Sequence, residues 1–186
     1  GGVDYFTHHS PSGAHDLYLG EAEHAEEGYL TDLLSRRAVD YVHRMADCAR
    51  GDTPFLLSLH YTAPHWPWET RDDAHVAPEL AKNLFHLHGG NIESYRRMIH
   101  HMDEGIGWLM DALRQHGLAD NTIVVFTSDN GGERFSKTWP FTGQKTELLE
   151  GGLRVPTLLR WPARIRPQVQ AQVSITMDWL PTLLEA

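Results

Sequence analysis

The residues with the clearest potential for chemistry follow two short apolar runs. His65 lies in the polar segment after residues 55–59, and Asp129 and Asn130 come directly after residues 122–127. Adjacent carboxylate and amide oxygens suit a hard cation such as Ca²⁺ or Mg²⁺, whereas an imidazole binds an anion or gives a proton to a leaving oxygen. Because Asp, Asn and Gly also dominate turns, a plain turn remains the alternative interpretation of the Asp-Asn-Gly-Gly block.

A basic residue with the same potential follows further along the chain. Lys145 stands in a glycine-bounded loop, and an ammonium group there can neutralise anionic oxygens as a point charge. The run 150–156 comes next and contains two glycines and Arg154, which serves equally well as an internal ion-pair partner. Taken singly, a solvated lysine and a surface histidine, one of 13 in the chain, remain the plainer interpretations.

Hydrophobic periodicity predicts the helices that must position these groups. Apolar residues recur three and four positions apart in two segments, 30–47 and 92–116. Residues 177–184 are interpreted as the opening of a third helix, with Pro181 in its first turn. Thr31 or Asp32 is the predicted N-cap of the first segment and Asn91 that of the second. Gly117 is the predicted C′ residue that ends the second helix.

Continuous apolar runs predict the strands. Residues 55–59, 122–127 and 155–161 have the length and composition of buried strands. Strands that alternate with helices predict an α/β fold with a largely parallel sheet. Because ligands of open α/β sheets gather beyond the carboxyl ends of the strands, the polar groups after the first two runs are expected at one edge.

Length and composition exclude several classes of protein. The chain has 186 residues, which corresponds to one domain or a large part of one. Its 16 basic and 25 acidic residues give a net charge of −9, which disfavours nucleic-acid binding. No apolar run is long enough to span a membrane. The one cysteine, Cys48, excludes an internal disulfide framework and leaves the compartment open.

Taken in sequence order, the segments around His65, Asp129-Asn130 and Lys145 and the run 150–156 resemble the sulfatase family of the alkaline-phosphatase superfamily. The pattern is arylsulfatase-like. The likeness covers nearly the whole chain, and its most specific parts are residues 126–131 and 150–156. It implies a part of a three-layer α/β/α sandwich with a mainly parallel sheet. It also implies that residues 1–186 are the central or C-terminal portion of a single catalytic domain, incomplete at both ends.

The resemblance also implies roles for individual residues. Asp129 and Asn130 would form half of a site for Ca²⁺, or Mg²⁺, and would bind the metal. His65 would contact the sulfate or help to protonate the leaving alcohol, and Lys145 would bind the sulfate oxygens and the bridging oxygen. The transition state accumulates charge on these oxygens, so cations and hydrogen-bond donors placed there lower the barrier. The implied partner is a sulfated small molecule or glycan.

The sequence departs from the family pattern at the nucleophile. Sulfatases use a formylglycine made from a Cys/Ser-x-Pro-x-Arg motif, and no such motif occurs here: Cys48 is followed by Ala49-Arg50 and has no proline two positions on. The formylglycine is therefore expected in the parent protein and not in this chain, which alone is expected to be inactive. Truncated sheet edges are expected to promote self-association.

Two other functions remain open. A hydrolase of phosphate or phosphonate esters in the same superfamily is the nearer alternative. Many of those relatives carry Asp-His-Gly where this chain has Asp129-Asn130-Gly131, and the imidazole suits zinc or manganese. The other alternative is a non-catalytic, sulfatase-like module that binds an anion or a glycan. The specific ester is not readable, because specificity lies in loops outside the catalytic blocks.

Overall fold

The computed structural model describes residues 2–51, 53–86 and 89–186. Its helices are α1 (Leu30–Arg50), α2 (Ala77–Leu80), α3 (Ile92–Gln115), α4 (Glu150–Leu153) and α5 (Trp179–Glu185), with short 3₁₀ turns at Asp73–His75, Ala119–Asn121 and Thr176–Asp178. The three predicted helical segments are thus confirmed. The two long helices, α1 and α3, pack against each other through their apolar faces and form the largest contact between elements in the described chain.

The caps of α3 agree with the sequence prediction, whereas the N-cap of α1 differs from it. The Asn91 side chain accepts hydrogen bonds from the amides of Glu93 and Ser94, both at 2.9 Å, and Gly117 has a φ of +69° just beyond the C-cap of α3. Helix α1 has Tyr29 at its N-cap and no side-chain cap, so the predicted caps Thr31 and Asp32 are wrong. Both residues lie inside the first turn and are buried there.

The strands are short and paired in antiparallel fashion. A hairpin joins β1 (Tyr18–Leu19) to β2 (Ala22–Glu23), and β3 (Val124–Phe126) pairs with β4 (Leu158–Arg160). In the second pair Val124 lies opposite Arg160 and Phe126 opposite Leu158. The chain is therefore mixed α/β. The mainly parallel sheet and the three-layer sandwich do not appear in the described residues and stay predictions.

The predicted strands are less buried than their composition suggested. Residues 55–59 belong to no strand, and Leu56 in this run is 79% exposed. Each residue of β3 is half-buried. The expectation of buried strands is wrong here because the described chain places no second layer over these runs. The segment after residue 164 also contains no buried residue, α5 included.

The apolar core lies along the two long helices. One cluster includes Tyr5, Tyr29, Trp68 and Met98, which joins α3 to the N-terminal segment and to residues 61–70. A second cluster packs Val42 of α1 against Ala112 and Leu113 of α3. Among the described residues, no helix has the length and apolar character that a membrane span requires.

A branched ion pair ties the two helices to the segment between them. Arg71 donates from Nε and Nη2 to the two carboxylate oxygens of Asp32, at 2.7 and 2.9 Å, and from Nη1 to Glu104 at 2.7 Å. Asp32 lies on α1 and Glu104 on α3. The guanidinium holds the pKa of Glu104 below its ordinary value, through a hydrogen bond and through its charge. One side chain thus fixes the position of three segments.

Replacement of Arg71 by leucine is expected to destabilise the protein. The Asp32 side chain is 11% exposed and Arg71 28% exposed, so the substitution leaves a largely desolvated carboxylate without its partner. Removal of one member of a fully buried pair costs about 3–5 kcal/mol, and partial exposure reduces the expected loss to about 2 kcal/mol. Urea denaturation monitored by the circular dichroism of the helices measures this loss.

Arg114→Leu is the matched control for this prediction. Arg114 pairs with Asp111 on the surface of α3, and both side chains are more than half exposed. A surface pair of this kind contributes about 0–1 kcal/mol, so the denaturation midpoint should barely move. Equal losses in the two variants would contradict the structural role given to Arg71.

Candidate active site

The acidic-amide pair lies where the sequence predicts it, at the end of a strand. Strand β3 ends at Phe126, and the chain then turns through Asp129, whose side chain is exposed, and Asn130, which is half-buried. The Ser128 hydroxyl donates to the main-chain carbonyl of Asn130 at 3.1 Å and tightens this turn. Both residues therefore lie in the turn that follows β3.

Close contact between glycine backbones brings distant loops to this point. The amide of Gly131 donates to the carbonyl of Gly152 at 2.8 Å. A Cβ on Gly131 would lie 2.1 Å from the Gly151 carbonyl oxygen, and a Cβ on Gly151 would lie 2.1 Å from that of Gly143. No side chain fits at such distances. Gly131, Gly143, Gly151 and Gly152 are called the glycine cluster below.

The glycine cluster places Lys145 beside the acidic-amide turn. The Lys145 amide donates to the carbonyl of Gly132 at 2.8 Å, two residues after Asn130. The Lys145 ammonium lies 3.6 Å from a carboxylate oxygen of Glu133, and the lysine side chain is 25% exposed. Sequence reasoning missed Glu133, because a single glutamate after a Gly-Gly pair carries no distinguishing pattern.

His65 lies in a loop of residues 60–72, called the His65 loop below. Its amide donates to the carbonyl of Thr62 at 2.9 Å, and its ring packs on Trp66 with centroids 4.3 Å apart. Nδ1 is 2.8 Å from the Trp66 carbonyl oxygen. Since a carbonyl only accepts hydrogen bonds, Nδ1 carries the proton in this geometry. The Nε2 atom is left for a ligand.

The electrostatics show that His65 lies near the Lys145–Glu133 pair. Burial lowers the pKa of the His65 imidazole, the Lys145 ammonium lowers it further, and the Glu133 carboxylate opposes that effect. His65 and Lys145, 80 positions apart in sequence, are thus close enough to interact electrostatically, and the Lys145 amide is bonded to Gly132 in the loop that follows Asp129 and Asn130. The roles of these residues as ligands of a metal or an anion stay predictions.

Two buried phenols anchor the His65 loop. The Tyr5 hydroxyl donates to the main-chain carbonyl of His65 at 2.9 Å, and the Tyr29 hydroxyl donates to that of Glu69 at 2.8 Å. Tyr5 and Tyr29 also stack on each other, with centroids 5.3 Å apart. These anchors lie about 60 and 40 positions from their acceptors, and the sequence contains no signal that pairs them.

The described residues contain no complete cation site. No group of three or more His, Cys, Asp or Glu side chains in the described part of the chain is arranged to hold a metal ion. Asp129 and Asn130 supply oxygen donors alone, which fits a hard cation that takes its remaining ligands from elsewhere. Cys48 is free and exposed in the last turn of α1 and takes no part in this site.

The fold and the site define an α/β chain that presents a cationic and an imidazole group together at the end of a strand. The Sulfatase family model matches residues 1–186, and the chain belongs to the sulfatase family. Rat steryl-sulfatase is 36% identical over 83% of this chain, and human arylsulfatase A is 32% identical over 81%. An uncharacterized sulfatase of Escherichia coli, YdeN, is 29% identical over all of it.

Solved structures agree with this assignment. The crystal structure of Ps i-CgsB superposes with a TM-score of 0.65 over 78% of this chain at 34% identity. A glycosaminoglycan-metabolism protein of Bacteroides thetaiotaomicron superposes with a TM-score of 0.67 at 24% identity and shows the fold alone. The chain spans 26–33% of the three named curated relatives and 31–37% of these two structures.

Gly131→Ala is expected to loosen the site without unfolding the helices. The new Cβ would meet main-chain atoms of α4, which cannot turn aside as a flexible side chain would. We expect a loss of about 2 kcal/mol, which lowers the protection of the Lys145 and Gly151 amides against hydrogen exchange about 30-fold. Native-state hydrogen exchange followed by NMR measures this change.

Gly107→Ala is the control for the glycine cluster. Apart from its chain neighbours and the backbone of its own helix, no atom lies within 4 Å of the Cβ that Gly107 would acquire on α3. Alanine in place of glycine inside a helix is expected to stabilise by about 0.5–1 kcal/mol. Undiminished protection of the Lys145 amide in Gly131→Ala would show that the glycine cluster does not position this loop.

The charges around His65 predict opposite effects of two neutralising variants. Lys145→Met removes a cation, so the pKa of His65 should rise, whereas Glu133→Gln removes an anion, so that pKa should fall. A pH titration of the His65 imidazole resonances by NMR measures both changes. Titration curves unchanged in both variants would place the three side chains too far apart to form one site.

Proposed function

We propose that the whole protein is a sulfuric ester hydrolase and that this chain supplies its anion-binding residues and half of its cation site. The supporting observation is the position of His65 beside the Lys145–Glu133 pair, next to the turn that bears Asp129 and Asn130. Membership of the sulfatase family supports the same chemistry. The part of the fold that the described strands do not form is expected to be the three-layer sandwich with a mainly parallel sheet.

Lys145 would hold the sulfate group. Its side chain is three-quarters buried, and its ammonium lies 3.6 Å from Glu133, a distance too long for a strong hydrogen bond. An incoming sulfate can therefore draw the ammonium away from Glu133. As the ester bond breaks, negative charge grows on the bridging oxygen, and a cation fixed beside that oxygen stabilises the transition state more than the ground state.

His65 would supply a proton to the leaving alcohol. Because burial and Lys145 both lower its pKa, the imidazole is neutral in the free site at neutral pH, with Nε2 unprotonated. An anion bound beside it reverses the effect of Lys145 and favours the protonated ring. The proton then sits at Nε2, the atom that can pass it to the leaving oxygen.

The Asp129 carboxylate and the Asn130 amide oxygen would hold a divalent cation, Ca²⁺ or Mg²⁺. Their donor chemistry fits a hard cation, and neither contributes a nitrogen or sulfur ligand that would favour zinc. A bound cation supplies Lewis-acid stabilisation of the sulfate oxygens. The carboxylate contributes the single negative charge of this half-site, and the turn after β3 fixes its direction.

The nucleophile is expected outside the sequence of this chain. The chain contains no Cys/Ser-x-Pro-x-Arg motif from which a formylglycine is made, and Cys48 lies on the surface of α1. The substrate would be a sulfated small molecule or glycan. Among the relatives, the names specify a steryl-sulfatase and an arylsulfatase, and one Ps i-CgsB structure is a complex with a neocarrahexaose.

Substitutions at the site are expected to abolish hydrolysis in the whole protein. Lys145→Ala removes the fixed cation and Asp129→Ala the charged metal ligand, and each should lower kcat/KM for p-nitrophenyl sulfate by about 100-fold or more. Sulfate release assayed with and without added Ca²⁺ measures the effect, and p-nitrophenyl phosphate tests the phosphatase alternative.

Two controls accompany this assay. Lys82→Ala removes an exposed lysine that pairs with Glu79 and should leave kcat/KM unchanged. The 186-residue chain alone should show no turnover, because it lacks the nucleophile motif. Faster hydrolysis of the phosphate ester by the whole protein, or sulfate hydrolysis that survives in Lys145→Ala, would refute the proposal.

A further inference from the structure

Two acidic side chains that the proposed reaction does not use are buried against each other. Asp4 and Glu69 are both 0% exposed, although they lie 65 positions apart in sequence. The Glu69 carboxylate accepts a hydrogen bond from the amide of Tyr5, the residue that follows Asp4, and the Asp4 carboxyl is close enough to raise the pKa of Glu69. Acidic residues are almost never fully buried unless they are paired, so this contact requires a physical explanation.

Each carboxyl has one oxygen satisfied and one without a partner. One oxygen of Asp4 accepts hydrogen bonds from the amides of Phe6 and Thr7, at 3.0 and 2.6 Å, and one oxygen of Glu69 accepts from the amide of Tyr5 at 3.0 Å. The second oxygens, Asp4 Oδ2 and Glu69 Oε1, are buried and receive no hydrogen bond from the described residues. Two such acceptors can bond each other only through a proton.

Neither Asp4 nor Glu69 forms an ion pair with a cationic side chain of the described residues. His8, which faces Asp4, has its pKa lowered by burial, and Tyr5 and Tyr29 have theirs raised by burial, so all three are neutral at neutral pH. Asp73 adds a further negative charge on the side of Glu69. The guanidinium of Arg71 is engaged with Asp32 and Glu104.

We propose that Asp4 and Glu69 share a single proton between Asp4 Oδ2 and Glu69 Oε1, and that this pair positions the His65 loop. The acid pair and the His65 loop are joined through a single residue, Tyr5. The Tyr5 amide donates a hydrogen bond to the Glu69 carboxylate, and the Tyr5 hydroxyl donates one to the His65 carbonyl. Tyr5 therefore connects the Asp4–Glu69 pair to the main chain of His65. The positioning role rests on the proposed function, whereas the shared proton does not.

The raised pKa of Glu69 makes the stability of the folded protein depend on pH. Burial and the nearby Asp4 raise the pKa of Glu69 from 4.5 to about 8. The folded protein therefore keeps a proton that the unfolded chain releases, and this group makes stability fall as the pH rises from about 5 to about 8 and level off above that. Glu69→Gln keeps a hydrogen-bond donor towards Asp4 and removes this component.

The experiment is a pH titration of the protein labelled with ¹³C-glutamate and ¹⁵N. We expect the Glu69 carboxyl carbon to titrate near pH 8 and the His65 amide to shift with the same midpoint. In Glu69→Gln the His65 amide should lose that transition, and the urea midpoint should no longer decline between about pH 5 and 8. Glu79→Gln, at an exposed ion pair, is the control and should leave both transitions in place.

The outcomes separate the parts of the proposal. A Glu69 carboxyl that titrates near its ordinary value overturns the shared proton, and this measurement needs only the unaltered protein. A Glu69 transition near pH 8 with no response at His65 overturns the positioning role. Failure of the proposed function would show instead as absent sulfate ester hydrolysis by the whole protein, with both NMR transitions unaffected.

Discussion

The contact of main chain with main chain at the glycine cluster governs the arrangement of the site. Gly131, Gly151 and Gly152 let the end of β3 approach α4 until carbonyl oxygens occupy the space where side chains would stand. The amide of Lys145 then reaches the carbonyl of Gly132. The two helices and the apolar core supply stability at a distance, but the relative position of the ammonium and the acidic-amide turn depends on this one close approach.

The imidazole is positioned by a different kind of interaction. The His65 loop is held by hydrogen bonds from the buried hydroxyls of Tyr5 and Tyr29, and by the ion pairs that its own Arg71 makes with Asp32 and Glu104. Such groups are costly to leave without partners, so each contact specifies one arrangement of the loop rather than a range. The site therefore combines a sterically fixed half with a half fixed by polar contacts.

The sequence predicted the parts of this arrangement that depend on local pattern. Helices α1 and α3 follow from apolar spacing, and the Asn91 cap from side-chain chemistry, because both are decided within a few residues. The resemblance identified the sulfatase family, and its assignment of the site residues stays a prediction. The cap at Thr31 or Asp32 was wrong because a tertiary ion pair with Arg71 takes Asp32, and no local pattern reports that partner.

The rest of the site depends on contacts between residues far apart in the chain. Glu133 beside Lys145, Tyr5 beneath His65 and Asp4 against Glu69 each join segments that share no periodicity or motif. The extent to which the apolar runs are buried could not be predicted from composition, because an apolar run shows only that its residues tolerate burial. Whether another layer covers it is decided by the remainder of the fold.

The unequal distribution of buried residues has a consequence for how this protein responds to stress. Its well-packed side chains surround α1 and α3, whereas the segment after residue 164 has none. Cooperativity requires shared contacts, so the two regions need not melt as one unit. A far-ultraviolet signal dominated by the long helices would therefore remain native-like while the segment after residue 164 had already lost its order.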